Sequence, residues 1–124
     1  MKLQTMFFDV GGTLETYSCT RDFRIANTSE IRNALAEHGI QLHLSDEELY
    51  ETIAGGISAY RKWSIESMIE LSTTEIWAGY VFKDFQVDRK ILSEISEQLS
   101  FLYETKYYVR EMRAEVPAVL EEIR

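Results

Sequence analysis

The sequence predicts a mostly α-helical chain with one N-terminal strand of the kind found in α/β cores. Three observations lead there. A short, largely apolar run, Leu3 to Phe8, stops at Asp9 and the pair Gly11-Gly12, as a buried parallel strand does. From about Asn27 onward, apolar residues recur at helical spacing. Ser29, Ser45, Ser72 and Asp88 stand where helix N-caps are needed.

Leu3 to Asp9 is read as the strand, with Asp9 at its C-terminal end. Open α/β sheets place their ligand sites at that edge. Residues 11–24 read as loop. A first helix starts at the Ser29 cap, carries Ile31, Leu35 and His38, and stops at Gly39. Ser45 and Glu48 make a capping box for a second helix with Leu49, Ile53, Ile57 and Tyr60 on one face. Gly55-Gly56 weakens that helix and invites a kink. Ser72 and Glu75 repeat the box ahead of Ile76, Trp77, Tyr80 and Val81. Asp88 caps a fourth helix with Ile91, Ile95, Leu99 and Leu102. After Met112 the pattern restarts, with Pro117 suited to a first helical turn and Val119, Leu120 and Ile123 as an apolar face.

One strand therefore precedes four or five helices. A lone parallel-type strand cannot satisfy its own backbone groups. The chain also stops in mid-helix, without a glycine stop or a following strand. Self-association, or pairing with a C-terminal core not present in the chain, is the expectation that follows.

The length, 124 residues, suits one modest domain. A net charge of −8 argues against a nucleic-acid partner, because phosphate backbones need a cationic face. It leaves room for a small anionic substrate in a local positive pocket. No apolar run approaches the roughly 20 residues of a membrane span, so no membrane role is expected. The single Cys19 and the absence of a leader-like apolar stretch at the start suggest a cytoplasmic location.

Residues 6–17, MFFDVGGTLETY, resemble the first motif of the haloacid dehalogenase (HAD) superfamily, a hydrophobic strand followed by Asp-x-Asp-Gly-Thr-Leu. Asp9, Gly12, Thr13 and Leu14 match. Gly11 departs from the pattern, because the family's phosphatases place a second Asp there. The resemblance implies an α/β, Rossmann-like HAD core with an all-helical cap inserted after the first strand. Residues 1–16 then correspond to the core entry, 17–113 to the cap with its hinges, and 114–124 to the start of a helix returning to the core.

What the resemblance implies for chemistry is Mg²⁺-dependent hydrolysis of a small phosphate ester. Asp9 is the expected nucleophile and a metal ligand, and Gly11 lends the metal its backbone carbonyl. Gly12 and Thr13 are the expected phosphate-binding residues. A carboxylate is a usable nucleophile when a cation holds the developing charge. Gly11 has no side chain to protonate a leaving alkoxide. It can also be read as a residue that only eases a tight turn. The family's phosphate-binding Ser/Thr, its Lys and its late acidic pair belong to later strands absent from this sequence, so the chain alone is expected to be inactive.

Two other functions fit the same residues. One is 2-haloacid dehalogenation, where a halide leaves without a proton, although the family's dehalogenases carry an aromatic at the Gly11 position. The other is a non-catalytic protein or fragment that acts by association. The remaining candidates read as structure. His38 and His43 have no partner at metal-ligand spacing. Trp63, Trp77, Tyr80, Phe82 and Phe85 suit helix packing. Arg110 and Arg113, near the inferred hinge, read by default as solvated charges, with facing an anionic substrate as the alternative.

Overall fold

A computed structural model describes residues 5–123, and the chain divides into two compact units. One is the helical stretch Thr20–Tyr107. The other gathers the described residues before and after it.

The helical unit opens earlier than its sequence suggests. Helix α1 spans Arg21–Glu37 and is capped by Thr20, whose hydroxyl accepts from the Phe23 amide at 3.1 Å. The expected cap, Ser29, lies inside the helix and turns its hydroxyl to the Ala26 carbonyl. No Gly or Pro interrupts residues 21–28, so the helix can start at the Thr20 cap. Gly39 ends it as expected. Its φ of +77° lets its own amide reach Ala36 and the Ile40 amide reach Leu35, a Schellman closure.

Helix α2, Asp46–Ser67, starts at the expected capping box. The Ser45 hydroxyl accepts from the Glu48 amide, and the Glu48 carboxylate accepts from the Ser45 amide at 2.7 Å. The helix runs as one element through Gly55-Gly56. Gly56 is required by packing: a Cβ there would sit 2.5 Å from the Val81 Cα. A second capping box, Ser72 with Glu75, opens the short helix α3, Thr73–Ile76. A π-helical turn, Trp77–Val81, follows it and lays its backbone against Gly56. Helix α4, Arg89–Lys106, is capped by Asp88 as expected.

Leu35, Leu49, Ile53, Trp77, Leu92 and Leu99 are almost wholly buried in this unit. Each contributes roughly 1.5–3 kcal/mol relative to exposure. The fully buried polar residues Ser96 and Thr28 are partnered. Ser96 meets the hydroxyls of Thr73 and Thr74, each at 3.0 Å. Thr28 meets the Tyr107 hydroxyl at 2.7 Å and donates to the Arg24 carbonyl. That Thr28–Tyr107 bond fastens the residue after α4 onto α1. Trp77, Phe82 and Phe85 stack in sequence, and Tyr60, Trp63 and Tyr80 form a second aromatic group, so these residues do serve packing.

The second unit corrects the sequence reading most. The expected strand, Leu3 to Asp9, is not formed over its described part. Leu3 and Gln4 lie outside the described residues, and residues 5–10 have no ladder partner. Phe7 is 92% exposed, and Met6, Phe8 and Val10 are also exposed. An apolar run becomes a strand only where another edge accepts its amides, and the two strands formed here take each other instead. They are β1, Glu15–Ser18, and β2, Val109–Met112, antiparallel with Glu15 opposite Met112 and Ser18 opposite Val109. Both lie in stretches read as loop and hinge. Helix α5, Val116–Glu122, follows with Pro117 in its first turn as expected. Its face is only partly covered: Val116 is buried, while Val119 and Ile123 are each 48% exposed. The coarse expectation of a mostly helical chain holds. Among the described residues its strands are these two, in place of the one expected at the N-terminus. Among the described residues, no helix is long and apolar enough to cross a membrane.

The two glycines of α2 separate in a stability test. Gly56→Ala should lower unfolding stability by about 1–3 kcal/mol, because Val81 backbone must move. Gly55→Ala, with nothing within 4 Å, should raise it by about 1 kcal/mol through helix propensity. Denaturant midpoints of the two variants check both signs.

Burial pushes the Tyr107 hydroxyl up to about 12, with the Thr28 bond acting in the opposite direction. An unfolded Tyr ionises near 10. Between those values the folded state holds a proton that the unfolded state has lost, so stability falls as pH rises. The contribution is intact below pH 10 and disappears as pH climbs through the folded value. Tyr107→Phe should be less stable at neutral pH and should show a flatter alkaline decline, read by thermal unfolding at stepped pH.

Candidate active site

The motif residues form a turn closed on itself. The Val10 carbonyl accepts from three successive amides, those of Thr13, Leu14 and Glu15, at 3.3, 3.0 and 3.2 Å. The Gly12 amide donates to the Glu15 carbonyl at 3.0 Å. Gly12 has φ +78°, a conformation that glycine enters without the Cβ penalty. Gly11 does not need to be glycine. Its φ is not in the left-handed region, and a Cβ there would meet nothing within 4 Å. The turn's geometry therefore does not require glycine at position 11.

Asp9 is exposed, just ahead of this turn. The Thr13 hydroxyl donates to Asp9 Oδ2 at 3.0 Å. This fixes one carboxylate oxygen and leaves Oδ1 as the second acceptor. The structure thus brings Asp9 and Thr13 together. It places the Gly12 and Thr13 amides against the turn's own carbonyls, so an anion can use those donors only if the turn opens. As metal ligands, the Asp9 carboxylate and the Gly11 carbonyl are hard oxygen donors of the type Mg²⁺ takes. They are two of the six ligands that the ion needs. Among the described residues, no three His, Cys, Asp or Glu side chains gather as a metal group.

Two arginines frame the turn from the far end of the sequence. Arg110 pairs with Glu15 at 2.5 Å across the β1–β2 ladder and lies over the Tyr108 ring. The Arg113 backbone amide donates to the Leu14 carbonyl at 3.0 Å, and its guanidinium reaches the Gly12 carbonyl at 3.5 Å and the Glu115 carboxylate at 2.8 Å. The Glu115 carboxyl is held below the usual carboxylate range, first by its own backbone amide and then by Arg113. A cavity of about 220 Å³ lies beside the turn, lined by Phe8, Thr13, Leu14, Arg113, Val116 and Val119 among others. The sequence marked Arg113 only as a cation near the hinge. Its contact with a residue 101 positions away leaves no local pattern to read.

The other polar candidates have structural partners or stand alone. His38 closes α1, with Nδ1 2.9 Å from the Ala34 carbonyl. Cys19 is a half-buried free thiol. The chain matches no family model, no curated protein and no solved structure.

Proposed function

We propose that this chain carries the nucleophile and helical cap of a HAD-like hydrolase, an α/β protein with a Rossmann-like core. The substrate is a small phosphate ester, and the cofactor is Mg²⁺. The observation that carries the reading is Asp9, exposed immediately before a glycine turn, with one carboxylate oxygen held by Thr13 four residues on. The division of the chain adds support: the helical unit is inserted between β1 and β2, two strands that pair with each other.

In this reading Asp9 Oδ1 attacks phosphorus, an acyl phosphate forms on Asp9, and the P–O bond to the alcohol breaks. The alkoxide takes its proton from water, because Gly11 offers none. Water then attacks the acyl phosphate, releasing inorganic phosphate and restoring the carboxylate. Mg²⁺, bound through Asp9 and the Gly11 carbonyl, would neutralise charge on the transferring group. Gly12 and Thr13 would bind phosphate once their amides are released from the turn. The Ser/Thr hydroxyl, the Lys and the remaining metal ligands come from other core strands. The exposed Phe7, Val119 and Ile123 suit pairing with such a core, or with a second copy.

The missing acid at Gly11 admits a second reading, 2-haloacid dehalogenation, although the family's dehalogenases carry an aromatic at that position. There Asp9 displaces a halide that needs no proton, and an ester on Asp9 is then hydrolysed. A non-catalytic role by association is the third.

Alone, with Mg²⁺ and a generic aryl phosphate, the 124-residue chain should show no turnover. Turnover that Asp9→Asn abolishes would contradict this. Joined to a core that supplies the missing ligands, the chain should hydrolyse phosphate esters, and Asp9→Asn should leave less than a few per cent of the rate. Gly11→Asp fits the open space at that position. It should raise phosphatase turnover by about 10²–10⁴-fold, the usual worth of general acid–base catalysis. Halide release from 2-haloacids, lost with Asp9→Asn and not improved by Gly11→Asp, would favour the second reading.

A further inference from the structure

Resting on the reading of Asp9 as the nucleophile, we infer that Arg113 is a positioning residue for the Asp9 turn. The turn's carbonyls account for its shape. Val10 is saturated by three amides, and Glu15 accepts from Gly12. The Gly12 and Leu14 carbonyls are both taken by Arg113, one through its guanidinium and one through its backbone amide. Asp9 itself is tied to the turn through Thr13.

Arg113 therefore holds the residue on each side of Thr13. The backbone bond to Leu14 would survive any substitution at 113. The reach to Gly12 depends on the side chain alone. At 3.5 Å that contact is long, but the donor is charged, and the Nε bond to Glu115 holds the guanidinium plane in place. Gly12 is also a position where the turn is easily deformed, because glycine has no Cβ to resist rotation. Rotation at Gly12 would swing Thr13 and release Asp9 Oδ2. The cation thus acts on the nucleophile through Gly12 and Thr13, without touching substrate. Arg113 is also the first residue after β2, so the end of that strand and the Asp9 turn are mechanically linked.

Lysine cannot replace this arrangement. A single ammonium can meet the Gly12 carbonyl or the Glu115 carboxylate, but it lacks the planar fork that engages both.

The test is the Thr13 side-chain rotamer in the full chain, read from three-bond ¹³C–¹⁵N and ¹³C–¹³CO couplings. Cross-strand contacts between Thr16 and Glu111 are recorded in the same samples. Wild type should show one staggered χ1. Arg113→Ala should show averaging over two or more rotamers with the Thr16–Glu111 contacts retained, and Arg113→Lys should fall between. A fixed Thr13 in both variants would overturn the inference. So would averaging that appears only together with loss of the cross-strand contacts, because Arg113 would then be a general fold residue. Neither readout needs turnover. A fixed Thr13 leaves the role of Asp9 standing, and an inactive Asp9 leaves the coupling standing.

Discussion

The antiparallel pairing of Glu15–Ser18 with Val109–Met112 is the constraint on which the motif unit depends. These two four-residue strands are the only ladder among the described residues. Without it, nothing would carry Arg113 to the Asp9 turn, and Glu15 would lose Arg110. The exposed ion pair is worth at most about 1 kcal/mol. The ladder's importance is therefore geometric: it converts a large sequence separation into a fixed neighbour.

Such a pairing is normally opposed by loop-closure entropy, although each doubling of loop length adds only about 0.6 kcal/mol. Here the intervening chain is a folded unit. Its first helix and the residue after its last helix are joined by the buried Thr28–Tyr107 bond. Capping boxes at Ser45 and Ser72, the Asp88 cap and the Gly39 closure set the helix boundaries. Gly56 admits the backbone of the π-helical turn.

What could be read from the sequence follows from the range of each interaction. Capping boxes and the Gly39 stop span three to six residues, and both were legible. The buried faces of α2 and α4 were legible for the same reason, although Leu92 and Tyr103 are more deeply buried in α4 than Ile91 and Leu102. The start of α1 was misplaced because Thr20 and Ser29 are both cap-type residues, and no Gly or Pro in residues 21–28 marks which one is used. β1 and β2 were missed because four residues show too little alternation and each strand's partner is remote. Leu3 to Phe8 misled because an apolar run carries no information about whether an edge awaits it. At the site, Asp9, Gly12 and Thr13 were found as a motif. The Thr13–Asp9 bond and the hold of Arg113 on Gly12 required coordinates.

The chemistry proposed for Asp9 relies on a turn whose bonds are mostly internal, closed from outside by residues that the ladder delivers. The most direct measurement is nuclear Overhauser spectroscopy of the labelled 124-residue chain, sampling the pairs Thr16–Glu111 and Ser18–Val109. Cross-strand contacts at both pairs, with strand-like shifts over 15–18 and 109–112, are the expected result. Random-coil shifts over those segments and no contact between them would contradict the pairing, and with it the link between Arg113 and the Asp9 turn.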